Sequence, residues 1–227
     1  MEMVSLKSKL RFFFSKAQWV ALICYIILLL LFQPHFMGND NLNFSLAFMW
    51  GEASPHTMHM SYLLSYPLAW ISACSPPIDP YTFFIYILCV INSWLIGKYV
   101  IRTQGNPKLV HALSYVFLVY LFFNYFLIVE YAIISFITMG CACLYLIEST
   151  RKKDSIHEVL AALLLITGAA LRYDSCLGII PFLAVCILIE FRGGNKRFLA
   201  ASAVCLFSII SIFGLQRQLS NTSLWGS

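Results

Sequence analysis

The side chains best suited to chemistry are gathered in one polar stretch of the chain, Gly38–Pro80. Its carboxylates include Asp40 and Glu52, and it contains two histidines, His56 and His59. A positioned carboxylate can act as a general base or as a metal ligand, and a histidine can do either or bind substrate. This stretch is therefore the first candidate for a functional site.

Asp40 has two interpretations. Asn39 and Asn41 flank it, and Asn and Asp are favoured at helix N-termini because their side chains accept backbone N–H bonds. A helix over residues 42–50 would need such a cap. The second interpretation is a general base or a metal ligand. Both interpretations are open on the local sequence.

The two histidines are three residues apart, so on a helix His56 and His59 would share a face. Together with Glu52 or Asp40 they could bind a divalent metal. Pro55, however, favours a turn there, so plain polar contacts are the alternative. We predict no metal and no other cofactor, because a metal site is possible but not supported by this spacing.

A second candidate, Arg172-Tyr173-Asp174, separates two apolar runs. A charge at mid-bilayer costs about 2.5–3.5 kcal/mol, so the two charged residues are expected at a helix end or in a polar cavity. Residues two apart do not face each other on a helix, which favours a turn at Tyr173. The segment is either a simple outer loop or a place where Arg172 binds an anionic phosphate.

Composition identifies the elements that must position these residues. Hydrophobic residues make up 60%, charged residues 11%, and the mean hydropathy is +0.80. These values predict an integral membrane protein, because a soluble domain carries about 25% charged residues. The apolar runs are long and apolar on all sides, which indicates membrane helices rather than alternating barrel strands.

Neither the net charge of +5 nor the eight cysteines indicates another class of protein. The basic residues lie at the ends of apolar runs, where the positive-inside rule explains them, so we expect no nucleic-acid partner. No Cys-x-x-Cys pair is present, and seven cysteines fall inside apolar runs. We interpret them as small packing residues.

Four basic clusters predict the topology, because all four should face the cytoplasm and an even number of spans must separate them. The clusters are Lys7/Lys9/Arg11/Lys16, Lys98/Arg102/Lys108, Arg151/Lys152/Lys153 and Arg192/Lys196/Arg197. Three apolar stretches lie between the first two clusters. The middle one, residues 60–74, is the shortest and contains Pro67, so we interpret it as an outer juxtamembrane helix or a shallow dip into the membrane.

The predicted fold is an all-α, polytopic transmembrane helical bundle in a single membrane domain, residues 1–227. It has about seven spans, and an outer juxtamembrane segment at about 34–80 follows the first. The predicted spans are about 17–33, 81–101, 109–124, 129–147, 156–171, 175–191 and 198–215. The N-terminus is predicted to be cytoplasmic.

Two segments resemble bacterial polytopic proteins with a GT-C type glycosyltransferase fold. They are the outer loop, with Gly38-Asn39-Asp40, Ser54-Pro55-His56 and Tyr66-Pro67-Leu68-Ala69-Trp70, and the run from Ala170-Leu171-Arg172-Tyr173-Asp174-Ser175 to Ile180-Pro181-Phe182. The resemblance implies an acidic catalytic residue in the first outer loop and a polyprenyl-phosphate sugar donor. Similar sequences often have two adjacent acids where this chain has Asp40-Asn41.

The resemblance assigns roles to the candidate residues. Asp40 takes the catalytic acidic role, with Glu52 as the second acid. His56, His59, Arg172 and Asp174 are assigned to substrate binding, with Arg172 at the lipid phosphate. The implied partners are the lipid bilayer, a polyprenyl-phosphate-linked sugar and a glycan acceptor, at the outer face of a bacterial cytoplasmic membrane.

Two other classes of function remain open. One is a non-catalytic membrane subunit or a component of polysaccharide polymerisation or export. The other is a transporter, which should show charges within its spans or broken helices in matching halves. Neither feature is evident in the sequence, so a transporter is the least favoured.

Overall fold

The computed structural model of the chain describes residues 17–32, 35–36, 45–46, 48, 60–75, 79–99, 122, 128–172 and 175–220. These residues contain seven helices of at least 13 residues and two strands of two residues each. In chain order the elements are α1 (Ala17–Leu31), β1 (His35–Phe36), α2 (Tyr62–Cys74), α3 (Pro80–Tyr99), β2 (Ile128–Val129), α4 (Tyr131–Lys152), α5 (Ser155–Leu171), α6 (Ser175–Arg192) and α7 (Lys196–Ser220).

Four helical segments in the described part are long and apolar enough to cross a membrane. They are Pro80–Tyr99, Tyr131–Lys152, Ser175–Arg192 and Lys196–Leu215. About 20 residues at about 1.5 Å per residue cover a hydrocarbon core of about 30 Å. Two shorter apolar helical stretches, Ala21–Leu31 and Ser155–Leu171, accompany them. The chain therefore has the helices of a multi-pass membrane protein.

The predicted number of seven spans stays a prediction. Of the span expected at 109–124, only residue 122 is among the described residues. Helix α2 has 13 residues and contains Pro67, so it is only about 20 Å long and too short to cross a bilayer core. Its predicted place on the outer side of the membrane also stays a prediction.

The chain divides into two compact units. The first comprises Met1–Met37 and Tyr86–Glu130, and the second comprises Gly38–Ile85 and Tyr131–Ser227. In the first unit, Trp19 of α1 meets Trp94 of α3 edge to face, with ring centroids 4.3 Å apart. The strands β1 and β2 pair in parallel, with His35 opposite Ile128.

The second unit contains the bundle of α4, α5, α6 and α7. A core cluster joins all four helices through Met139, Ala142, Cys143, Leu165, Ala169, Ile179, Leu183, Cys205 and Ile209. The outward faces of α5, α6 and α7 expose large apolar side chains, such as Leu163, Leu177, Leu188 and Phe207. Helices that are apolar both inside and outside the bundle are those of a membrane-spanning protein.

Cysteines contribute to this packing as thiols. All eight are in the described part of the chain, and each is free. Cys143 and Cys205 belong to the bundle core, and Cys186 belongs to a smaller cluster with Phe198. This arrangement agrees with their interpretation as small packing residues.

The turn between α4 and α5 is a Schellman motif joined directly to an N-cap. Lys153 has a φ of 57°, and its N–H donates to the Thr150 carbonyl at 3.3 Å. The N–H of Asp154 donates to the Ser149 carbonyl at 3.0 Å. The Asp154 carboxylate then accepts the His157 N–H at 3.3 Å, which caps α5. One residue therefore ends one helix and begins the next.

The turn between α6 and α7 repeats this arrangement with different residues. Gly194 has a φ of 72°, and its N–H donates to the Phe191 carbonyl at 3.1 Å. The N–H of Asn195 donates to the Glu190 carbonyl at 2.9 Å. The Asn195 side-chain oxygen accepts the Phe198 N–H at 3.1 Å. Both turns thus satisfy the last carbonyls of one helix and a first N–H of the next.

Polar side chains hold the two turns side by side. The Asn195 amide donates to the Thr150 hydroxyl at 3.1 Å and to a carboxylate oxygen of Glu190 at 2.7 Å. Arg151 donates to both carboxylate oxygens of Glu190, through Nε at 3.1 Å and through Nη2. Glu190 is only 1% exposed, whereas the Arg151 side chain is 59% exposed, so this charge-assisted pair joins a buried carboxylate to a surface cation. We call residues 148–158 and 190–197 together the double-turn end.

Candidate functional site

Arg172 lies where α5 ends, at the opposite end of the bundle from the double turn. It is the C-cap residue of α5, and its N–H donates to the Gly168 carbonyl at 3.4 Å. Its guanidinium lies over the ring of Tyr131, 5.0 Å from the ring centroid. Tyr131 is the buried first residue of α4, so this cation–π contact fixes the arginine against the start of that helix.

Short-range packing brings the ends of α4, α5 and α6 together around Arg172. The Ser135 hydroxyl of α4 donates to the Gly168 carbonyl of α5 at 2.7 Å. The Ser175 hydroxyl of α6 donates to the Ala132 carbonyl of α4 at 3.3 Å. Hydroxyl-to-carbonyl bonds of this kind join membrane helices without placing a charge between them.

Gly168 permits the close approach of α4 and α5. A Cβ at this position would lie 2.7 Å from Cγ of Met139 and 3.1 Å from the backbone oxygen of Ser135. Both distances are shorter than ordinary van der Waals contact. A residue without a side chain is therefore required where the two helices meet.

Helix α2 begins beside the same end of α5. The backbone N–H of Ser61 donates to the Ala170 carbonyl at 2.8 Å, two residues before Arg172. The Ser61 hydroxyl accepts the Leu63 N–H at 3.3 Å, which caps α2. The capped N-terminus of α2 therefore lies beside the C-terminal end of α5, which Arg172 caps. We call this region the Arg172 end of the bundle.

An apolar groove of about 380 Å³ lies between α2 and α7 at this position. Tyr62, Tyr66 and Pro67 line it from α2, and Ile212 and Leu215 line it from α7. Ser61, which bonds to α5, also belongs to its wall. The wall of the groove is thus hydrogen-bonded to α5 two residues before Arg172. An apolar groove with a cation nearby suits a ligand with a hydrocarbon part and an anionic part.

The structure describes Arg172 alone among the predicted site residues. Asp40, Glu52, His56, His59 and Asp174 lie outside the described residues, and their predicted roles stay predictions. The position of Arg172 at a helix end agrees with the expectation from the cost of a charge at mid-bilayer.

Within the described part of the chain, no group of three or more His, Cys, Asp or Glu side chains could hold a metal ion. The residues that suggested a metal in the sequence, the histidines His56 and His59 with Glu52 or Asp40, are outside that part. The prediction that the outer loop holds no metal therefore stays a prediction.

Asp79 is a polar residue that the sequence analysis did not single out. Its carboxylate accepts the backbone N–H groups of Tyr81 at 3.0 Å and Thr82 at 3.2 Å. It also accepts the hydroxyls of Ser45 and Thr82. An aspartate directly before a proline at the first helical position is a readable N-cap signal. Asp79 is accordingly occupied in capping α3.

Glu190 is a second residue that the sequence analysis passed over. It lies in the last turns of α6, and its partners Arg151 and Asn195 come from a different helix and from the following turn. A lone acid at the end of an apolar run does not indicate which basic residue it will meet. The pairing depends on how α4 and α6 pack, so only the structure could reveal it.

A scan of the chain against protein-family models and searches of curated proteins and of solved structures found no match. The geometry of the described residues is therefore the basis for any functional proposal.

Proposed function

We propose that the protein is a membrane glycosyltransferase-like protein. It would transfer a sugar from a polyprenyl-phosphate donor to cell-surface glycan at the outer face of a bacterial cytoplasmic membrane, with its N-terminus in the cytoplasm. The observation that carries the proposal is the position of Arg172 at a helix end, two residues after Ala170, whose carbonyl bonds to a wall residue of the apolar groove.

The chemistry of the donor suits these two features. A polyprenyl phosphate sugar has a long hydrocarbon chain and an anionic phosphate at its head. The planar guanidinium of Arg172 can bind two phosphate oxygens at once, which the ammonium of lysine cannot do. The groove formed by α2 and α7 offers apolar contacts for the first part of the chain.

The transfer step needs a base as well as a phosphate site. The acceptor hydroxyl oxygen forms a bond to the anomeric carbon, the bond from that carbon to the phosphate oxygen breaks, and the polyprenyl phosphate leaves. The acceptor proton passes to a carboxylate, for which Asp40 is the first candidate and Glu52 the second. His56, His59 and Asp174 are proposed to orient the sugars.

Arg172→Lys tests the phosphate site. The purified protein and its variants are reconstituted in liposomes with a panel of radiolabelled polyprenyl-phosphate sugars, and transfer to glycan is measured against donor concentration. We expect a rise of about tenfold or more in the donor KM, because lysine loses the two-point contact. Arg217→Lys, an exposed arginine in the last turn of α7, is the matched control and should leave the KM unchanged.

Asp40→Asn tests the base independently of the donor site. Asparagine caps helices about as well as aspartate, so folding should be retained. Loss of the base should lower the transfer rate by about 10²–10⁴-fold. Transfer at the wild-type rate would show that Asp40 is a cap, and Glu52 would be tested next.

The same experiment separates the proposed enzyme from the alternative. If the wild-type protein transfers no sugar from any donor in the panel, yet binds a donor in an Arg172-dependent manner, a non-catalytic membrane subunit or a polymerase or export component is the better description. If it neither transfers nor binds, the proposal is wrong.

A further inference from the structure

The double-turn end carries more positive than negative charge. Six cations and four carboxylates are found in residues 148–158 and 190–197. The cations are Arg151, Lys152, Lys153, Arg192, Lys196 and Arg197, and the carboxylates are Glu148, Asp154, Glu158 and Glu190.

Each of the four carboxylates is already engaged by a side chain of the same end. The pairs are Arg151 with Glu190, Lys152 with Glu148 at 2.5 Å, Arg197 with Glu158 at 2.7 Å, and His157 with Asp154 at 2.7 Å. These pairs use three of the six cations. The net positive charge of the double-turn end is therefore carried by the three cations that remain.

The three remaining cations are Lys153, Arg192 and Lys196. All three are exposed, and none forms an ion pair with another described residue. Lys153 and Lys196 lie on the two turns, and Arg192 is the last residue of the helix that leads into the second turn. Lys196 follows Asn195, whose amide bonds to Thr150, and Lys153 comes three residues after Thr150.

Apolar side chains exposed beside these cations indicate where the surface lies. Phe191, directly before Arg192, is 68% exposed, and Ile156, three residues after Lys153, is 73% exposed. Arg192 itself ends a helix that is long and apolar enough to span a membrane. The cations thus lie where hydrocarbon gives way to a polar layer, which is the depth of lipid headgroups.

We infer that the double-turn end binds the phosphate headgroups of anionic lipids through Lys153, Arg192 and Lys196. Three cations that pair with no carboxylate in the described part of the chain complement an anionic headgroup, and the adjoining apolar side chains contact the acyl chains. These neighbours favour a lipid over a soluble phosphate. A basic residue close to an anionic membrane surface raises the affinity by about fivefold. This inference does not depend on the proposed sugar transfer.

The test measures lipid selectivity of the full chain. The protein is reconstituted in phosphatidylcholine, and electron paramagnetic resonance compares the association of spin-labelled phosphatidylglycerol with that of spin-labelled phosphatidylcholine. For the wild type we expect a preference of about fivefold or more for the anionic lipid. The triple variant Lys153→Gln, Arg192→Gln and Lys196→Gln should reduce the ratio to near one.

Single variants supply the matched comparison. Arg192→Gln and Arg217→Gln each remove an exposed arginine from the last turn of a helix, but at opposite ends of the bundle. Arg192→Gln should lower the ratio at least twofold, and Arg217→Gln should not. These single variants carry the test even if the triple variant does not fold.

Three results would overturn the inference. They are a wild-type ratio near one, equal effects of Arg192→Gln and Arg217→Gln, and loss of the preference when inorganic phosphate is added at constant ionic strength. The last result would assign the surface to soluble phosphate. A preference that survives added phosphate and depends on Arg192 supports the lipid site.

Discussion

The two ends of the α4–α7 bundle are held together by different chemistry. At the double-turn end, oppositely charged side chains form ion pairs, such as Arg151 with Glu190, and side chains cap the helix ends. At the Arg172 end, hydroxyl-to-carbonyl bonds and the close approach at Gly168 join the helices. Arg151 pairs with a buried carboxylate, whereas Arg172 lies over an aromatic ring. We therefore expect the charge of Arg172 to matter less for folding than that of Arg151.

Replacing one arginine at each end gives the sharpest test of this difference. Arg151→Gln leaves the buried carboxylate of Glu190 without its cation, and it should lower the free energy of unfolding by about 2–3 kcal/mol. Arg172 is only half-buried, so Arg172→Gln should cost less, with about 1 kcal/mol from the lost cation–π contact. Unfolding by SDS titration in mixed micelles measures both. Equal losses would remove the distinction between the two ends.

Adding one methyl group tests the close approach at the Arg172 end. Gly168→Ala forces the new Cβ against Met139 and the backbone of Ser135, and we expect a loss of about 1–3 kcal/mol in the free energy of unfolding. Gly140→Ala is the matched control, because a Cβ there meets only Ile179 at 3.9 Å. It should be neutral or stabilising by up to about 1 kcal/mol. A neutral Gly168→Ala would show that α4 and α5 can separate at little cost.

The two turns of the double-turn end can be compared with each other. Both place one residue in the left-handed region, which costs a non-glycine residue about 1–2 kcal/mol. Lys153→Gly should therefore stabilise the fold by about 0.5–1 kcal/mol, whereas Gly194→Ala should destabilise it by about 1 kcal/mol. Opposite signs in the same unfolding assay would show that the turns are equivalent. Two changes of the same sign would contradict this.

The smallest expected effect is a pH dependence at Asp154. Hydrogen bonding to His157 holds the pKa of this carboxyl below its ordinary value of 3.8. Since the folded-state pKa is lowered, the stabilisation is present above pH 3.8 and is lost as the pH falls below it through the folded-state pKa. Asp154→Asn keeps a cap but removes the titration, so its melting temperature should fall less than that of the wild type on acidification. Parallel acid profiles for both proteins would count against this role.

The sequence predicted the helices well because long apolar runs dominate it. Helix α6, Ser175–Arg192, lies within one residue of the span predicted at 175–191. Helix α4 was predicted to end near 147 but continues to Lys152, because polar residues extend it beyond the apolar run. The Thr150 hydroxyl bonds to the Leu146 carbonyl at 2.8 Å, so the last turn stays helical without apolar side chains.

In the candidate site, only the position of the charged residue Arg172 could be predicted from the sequence. The cost of burying Arg172 in hydrocarbon requires a helix end, and that requirement can be read from one residue. Its contact with Tyr131 joins the start of one helix to the end of another, which no local pattern indicates. The glycine at 168 gave no signal either, because a glycine inside a helix does not reveal which neighbour it approaches.

The parallel pairing of β1 with β2 has a consequence for how the chain is made. His35 pairs with Ile128, so about ninety residues must be synthesised after β1 before its partner exists. At about 5–20 residues per second, this delay is on the order of 5–20 s. During that time α1 has been synthesised, but β1, which follows it in the chain, has no strand to pair with. This strand pair can therefore form only after most of its unit has been synthesised.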